Sequence, residues 1–208
     1  MATALVRAQG RQVGCIVVTG PLISGLAIAV AGWLMTTVWP TVRVMILVNW
    51  LSQIFLICVG VCVAVAVTGD SLIELHESTE TSFRTVQAIR ASLPTIVSLV
   101  GAIIMFIPLH MLHIWPHDEG WLCVGSPIGA VMIISSVAFI TSAYSKTTTV
   151  TTIAVIAAWM FLSMLWDPYV LPLPAQRGIP LAFIMTILPF AWQRLGNTEL
   201  NIRKVATI

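Results

Sequence analysis

Residues 70–93 read DSLIELHESTETSFRTVQAIRASL and form the one long polar stretch in a chain of 208 residues. The chain as a whole is 58% hydrophobic and only 9% charged, with a mean hydropathy of +0.98. Soluble proteins average about half apolar and about a quarter charged residues. Because so few charges cannot cover the surface of a soluble domain of this size, the composition predicts an integral membrane protein.

Six apolar stretches flank this segment and are long enough, or nearly so, to cross a bilayer as helices, since a hydrocarbon core of ~30 Å needs ~20 residues. The fourth stretch contains GSPIG at 125–129, a G-x-x-x-G pattern that favours close helix packing. The sequence therefore predicts an all-α fold, with one transmembrane domain over residues 1–208. The predicted spans are 13–39, 44–68, 94–115, 121–144, 149–166 and 179–195.

The basic residues set the orientation, because loops rich in Lys and Arg stay on the cytoplasmic side. A cytoplasmic N-terminus leaves only Arg43 and Arg177 outside. We therefore expect both termini in the cytoplasm, with a cytoplasmic tail at 196–208. The residues predicted to be inside are Arg7, Arg11, Arg84, Arg90, Lys146, Arg194, Arg203 and Lys204.

The segment before the last span, DPYVLPLPAQRGIP at 167–180, contains four prolines among apolar residues. It is too apolar for an ordinary outer loop, and we expect it to dip back into the membrane as a re-entrant segment. Non-helical backbone at that depth has to be buried in protein or line a cavity, since lipid offers no hydrogen-bond partner. A short surface loop is the alternative.

The polar stretch itself, within a cytoplasmic segment at 69–93, is predicted to form two short helices joined by an elbow. Apolar residues recur every three positions from Phe83 and predict an amphipathic second helix on the membrane surface. Its polar face would comprise Arg84, Gln87 and Arg90. Pro94 suits the first turn of the third span, where its missing N–H costs nothing.

Residues 74–93 combine an acidic-leucine pair, a Ser-Thr-x-Thr elbow and an arginine about nine residues later. This pattern resembles the segment between the second and third helices in permeases of type-two ABC exporters. Permeases of that family have six helices, cytoplasmic termini, an amphipathic helix before the first span and a re-entrant outer segment between the fifth and sixth. Residues 1–12 and 167–180 would correspond to the last two features.

The resemblance implies that the elbow is a coupling helix that docks on a separate ABC ATPase subunit. The chain contains no G-x-x-x-x-G-K-[ST] pattern, so we expect it to be non-catalytic and to hold no cofactor, with ATP and Mg²⁺ on the partner subunit. A second permease, identical or homologous, would complete the pathway in the plasma (cell inner) membrane. The coupling residues would be Glu74, Leu75, Glu77, Ser78, Thr79, Glu80 and Thr81.

The polar residues of the second span are the candidates for a substrate pathway. Asn49 and Gln53 lie one turn apart and would be costly facing lipid. Because the second and fifth helices line the route in the resembled family, Trp159 and Phe161 join them by that resemblance. Hydrogen bonding between helices explains Asn49 and Gln53 equally well.

Three histidines near the outer end of the third span, His110, His113 and His117, are weak candidates for a metal site. They support an alternative function, a membrane anchor or metal-handling subunit of a redox complex. A six-helix scaffold without an ATPase partner is a third alternative. Nucleic acid is not an expected partner, because the net charge is only +2 and no run of basic residues occurs.

Overall fold

The computed structural model of this chain describes residues 14–68, 83–116, 118–145 and 147–196, which form helices and short connections without strands. A 3₁₀ turn, Trp121–Val124, precedes α4, and a π-helical turn, Phe161–Trp166, extends α5. With these extensions, six helices are long and apolar enough to cross a membrane, and the chain is a multi-pass membrane protein. The helices are α1 Cys15–Thr36, α2 Thr41–Thr68, α3 Phe83–Met111, α4 Gly125–Tyr144, α5 Thr148–Met160 and α6 Leu173–Leu195.

Successive helices run in opposite directions, so their ends collect into two groups. At the end that we call inner, the Thr68 and Thr148 hydroxyls hydrogen-bond at 2.8 Å and join α2 to α5. The Arg84 guanidinium lies over the ring of Trp192 there and joins α3 to α6. The outer end is where α3 stops and α4 and α6 begin. The sequence predicts that the inner end is cytoplasmic.

The core lies around α2 and α4, which between them contact every other helix. Phe55 of α2, Phe106 of α3 and Ile134 of α4 are fully buried within it. Within the most apolar part of each span, 56% of the fourth span is buried, against 17% of the fifth span and 17% of the sixth. The last two helices therefore lie at the periphery, with apolar faces directed away from the protein.

Glycines let α1 and α3 pack backbone against backbone. A Cβ placed on Gly25 would collide with the carbonyl oxygen of Gly101, and one on Gly101 would lie 2.7 Å from the carbonyl oxygen of Pro21. Small residues at such positions allow membrane helices to approach closely. The two backbones are thus in direct contact near the middle of both helices.

The prediction for the start of the third span is wrong, since α3 begins at Phe83 and runs through Pro94 without a break. Gln87 and Arg90, expected on an exposed polar face, are only 4% and 2% exposed. This part of α3 therefore packs inside the bundle as a continuous extension of the third span. A proline inside a membrane helix is tolerated because surrounding groups satisfy the backbone that it leaves unpaired.

The last helix begins at Leu173, earlier than the predicted start at residue 179. Pro174 lies in its first turn, where a proline fits without loss of a hydrogen bond. Residues 173–180 of the predicted re-entrant segment therefore belong to α6, and 167–172 connect α5 to it. That this connection enters the membrane stays a prediction. The predicted N-terminal helix at 1–12 and the tail after residue 196 lie outside the described residues.

Candidate functional site

A cavity of about 420 Å³ lies at the outer end of the bundle, between α2, the end of α3 and the starts of α4 and α6. Part of its wall is apolar and includes Phe55, Leu56, Met105 and Trp115. Its volume falls within the ~300–1,000 Å³ typical of small-molecule sites, which combine apolar walls with a few polar groups. The polar side chains of its wall are Asn49, Ser52, Gln53, Glu119, Ser126, Ser163, Asp167, Gln176 and Arg177.

The α2 side of the cavity contains both residues that the sequence singled out in the second span. Asn49 is exposed, and Gln53 one turn later is half-buried. The indole Nε1 of Trp159, on α5, donates a hydrogen bond of 3.0 Å to the Gln53 side-chain oxygen. Helix-to-helix hydrogen bonding, one of the two predicted explanations for Gln53, is therefore present at the edge of the cavity.

The α6 side of the cavity is built on Arg177, which is only 8% exposed. Its two terminal nitrogens donate to the two carboxylate oxygens of Asp167 at 2.8 and 2.9 Å. It also donates from Nε to the Ser126 carbonyl at 3.1 Å and from Nη2 to the Ser126 hydroxyl at 3.2 Å. Such two-pronged, charge-assisted bonding satisfies a buried guanidinium. Arg177, counted from the sequence among the outside charges, lies at the outer end within α6, where it is folded into the protein and paired with Asp167.

The G-x-x-x-G pattern explains how this arginine fits. A Cβ on Gly129 would lie 2.8 Å from Arg177 Cγ, and one on Gly125 would lie 3.2 Å from Leu173 Cδ2. The two glycines therefore let α6 pack closely against α4 and leave space for the aliphatic part of the Arg177 side chain. The predicted packing role of this pattern is confirmed, with α6 as the partner helix.

Further hydrogen bonds tie the end of α5 to the start of α6 beside the cavity. Trp166 Nε1 donates to the Gln176 carbonyl at 2.8 Å, and Gln176 Nε2 donates to the Asp167 carbonyl at 3.4 Å. The Ser163 hydroxyl, on the cavity wall, is buried without a hydrogen-bond partner. Phe161, the other predicted pathway residue, is 48% exposed, stacks on Trp166 and is not among the lining residues.

The histidines of the outer end are placed differently from one another. His110 Nδ1 lies 2.8 and 2.9 Å from the two carboxylate oxygens of Asp118, and its ring packs against Phe106 and Trp121. His113 is exposed, with a left-handed backbone φ of 54°. His117 lies outside the described residues, and among the described ones no group of three His, Cys, Asp or Glu side chains could hold a metal ion.

The predicted coupling residues, from Glu74 to Thr81, also lie outside the described residues, between the end of α2 and the start of α3. Comparison of the chain with protein-family models, with curated proteins and with solved structures finds no match.

Proposed function

We propose that this chain is the permease subunit of an ATP-driven ABC exporter, forms half of the substrate pathway and couples to a separate ATP-binding subunit. The observation that carries the proposal is the outer cavity, whose wall lies on α2 and is bridged to α5 through Gln53 and Trp159. The second and fifth helices line the route in the family that residues 74–93 resemble. α2 lines the cavity, and α5 is linked to that wall through the Gln53–Trp159 bond, although no residue of α5 itself lines the cavity.

The coupling mechanism follows from how α2 and α5 are joined. α2 ends at Thr68, directly before the proposed coupling segment, and the Thr68–Thr148 hydrogen bond ties that end to the start of α5. The Trp159–Gln53 bond joins the same helices near the outer cavity. A push on Glu74–Thr81 by an ATPase partner would therefore displace α2 and α5 together and change the shape of the cavity. In this proposal the partner binds ATP and Mg²⁺, and this chain makes and breaks no covalent bond.

The cavity wall also indicates the kind of cargo. Its wall combines amides and hydroxyls, the Glu119 carboxylate and the Arg177–Asp167 pair with the apolar Phe55, Leu56 and Trp115. A surface of this mixed kind suits an amphipathic molecule that hydrogen-bonds at one end and has an apolar body. A second permease, facing this one, would supply the other half of the route.

The proposal is tested first by association and coupling. The tagged chain, purified from its native membrane, should carry an ABC ATPase with it. Glu74→Lys, or deletion of residues 78–81, should leave the ATPase able to hydrolyse ATP while transport is lost. Absence of an ATPase from the purified complex, or normal transport by both variants, would contradict the proposal.

The role of the α2–α5 bridge is tested separately with Trp159→Phe, which removes the donor to Gln53 but keeps an aromatic ring. An interhelical hydrogen bond in a membrane is worth about 0.6 kcal/mol on average, or about threefold in the population of the bridged arrangement, so we expect less cargo to be transported per ATP hydrolysed. Trp33→Phe is the matched control, because Trp33 is 55% exposed on α1. Equal coupling in both variants would remove the bridge from the mechanism.

A further inference from the structure

A second cavity, of about 580 Å³, lies on the inner half of the bundle and is distinct from the outer one. It forms a groove because α3 and α6 barely touch each other, although both pack on α4. Ala91 and Ser92 of α3, Met132 and Phe139 of α4, and Leu188 and Trp192 of α6 form its wall. The groove therefore opens sideways between two helices, towards the place that lipid occupies in a membrane.

Two of the polar side chains in this groove, Ser92 and Thr95, bond back to their own helix, whereas the Ser135 hydroxyl is buried without a hydrogen-bond partner. The Ser92 hydroxyl donates to the Ile89 carbonyl at 2.9 Å, and the Thr95 hydroxyl donates to the Ala91 carbonyl at 2.7 Å. Their remaining surface is largely carbon, as is that of the neighbouring Met132, Phe139 and Leu188. Such a wall favours a hydrocarbon chain over a hydrogen-bonding solute.

Two arginines lie at the inner end of the bundle near this groove, although neither forms part of its wall. Arg84 lies 5.7 Å from the ring centroid of Trp192, which lines the groove, and Arg194 lies 4.5 Å from that of Tyr144. The Arg194 Nε is buried without a hydrogen-bond partner. Within the described part of the chain, all three carboxylates, Asp118, Glu119 and Asp167, are at the outer end. The described residues therefore supply no anion at this site.

We infer that the groove binds one anionic phospholipid of the inner leaflet, with an acyl chain between α3 and α6 and the phosphate against Arg84 and Arg194. The apolar wall matches the chain, and the guanidiniums match the headgroup at the depth where Trp192 marks the interface. This site is independent of the proposed export function, since it requires neither cargo nor an ATPase.

The inference is tested by tryptophan quenching in vesicles. The full chain is reconstituted into phosphatidylcholine vesicles that contain brominated-acyl phosphatidylglycerol or brominated-acyl phosphatidylcholine. The difference between the native chain and Trp192→Phe isolates the Trp192 signal. We expect the anionic lipid to quench Trp192 at a several-fold lower mole fraction than the zwitterionic one.

Two sets of variants sharpen the result. Arg84→Gln and Arg194→Gln should each lower the preference for the anionic lipid by about fivefold, as expected for one basic residue at an anionic surface. Arg43→Gln, which changes an exposed arginine at the outer end, should leave it unchanged. Ser92→Phe, which adds bulk to the groove, should reduce quenching by both lipids.

Three outcomes would overturn the inference. Equal quenching by the two lipids would show that no headgroup is recognised. If the preference for the anionic lipid persists when Arg84 and Arg194 are both changed to Gln, the headgroup binds elsewhere. Absence of quenching by either lipid would show that protein covers the groove, either a second copy or another part of this chain.

Discussion

The outer cavity and the inner groove differ in how their charged residues are satisfied. At the outer end, Arg177 is buried. It pairs with the Asp167 carboxylate and donates hydrogen bonds to the carbonyl and the hydroxyl of Ser126. At the inner end, Arg84 and Arg194 lie on the faces of aromatic rings, and no described carboxylate is nearby. The buried arginine of the outer end thus has its counter-charge within the chain, whereas the described residues provide no carboxylate for the two inner arginines.

The charged residues at the two ends therefore contribute differently to the stability of the fold. Removing one partner of a buried ion pair leaves an uncompensated charge in a low-dielectric interior, which is costly. An arginine over an exposed ring contributes much less. Substitutions at the outer end should therefore destabilise the fold, while those at the inner end should mainly change what the protein binds.

The largest loss of stability is expected from Asp167→Asn, which leaves Arg177 buried without its counter-charge. We expect a loss of about 3–5 kcal/mol in the free energy of unfolding, measured by titration with denaturing detergent. The double variant Arg177→Met with Asp167→Leu should recover most of it, because it removes both charges. Arg43→Gln, an exposed arginine at the same end, should stay within about 0.5 kcal/mol of the native chain. An Asp167→Asn protein as stable as Arg43→Gln would show that the Asp167–Arg177 pair does not stabilise the fold.

An intermediate effect is expected from Gly129→Ala, because the added methyl would lie 2.8 Å from Arg177 Cγ. Overpacking of this kind costs about 1–3 kcal/mol in unfolding free energy. Gly178→Ala is the matched control on α6, since nothing lies within 4 Å of a Cβ there. That control should be neutral or slightly more stable, because alanine is a better helix former than glycine. If the two variants have the same free energy of unfolding, the absence of a side chain at Gly129 is not required for the packing of Arg177.

The smallest effect is expected at the inner end, from Tyr144→Leu, which removes the ring beneath Arg194. We expect a loss of about 0.5–1 kcal/mol, measured by the same titration. Tyr169→Leu serves as control, because Tyr169 is 79% exposed. A loss as large as that of Asp167→Asn would mean that the inner arginines are held as firmly as the outer one, and the contrast between the two ends would fail.

The helical fold and part of the outer cavity could be predicted from the sequence. The number of spans followed from apolar length, and the G-x-x-x-G pattern predicted the close packing seen at Gly125 and Gly129. Asn49 and Gln53 were identifiable because a polar side chain in an apolar helix needs a partner, and both line the cavity.

What could not be predicted depends on contacts that are distant along the chain. Nothing local marks Arg177 as buried, because its burial requires Asp167, Ser126 and the space above Gly129 at the same time. Pro94 was predicted to start a helix because proline is favoured in the first helical turn. That local preference contains no information on the burial of Gln87 and Arg90, which keeps the preceding turns in the bundle. The groove between α3 and α6 is likewise a property of packing alone.

The glycine contact between α1 and α3 has a mechanical consequence. Since the carbonyl oxygens of Pro21 and Gly101 lie where only a hydrogen atom fits, sliding one helix along the other would drive a side chain into occupied space. We therefore expect α1 and α3 to move as one rigid body in any conformational cycle. Displacement should then occur in α2 and α5, which the proposed mechanism moves together relative to that pair.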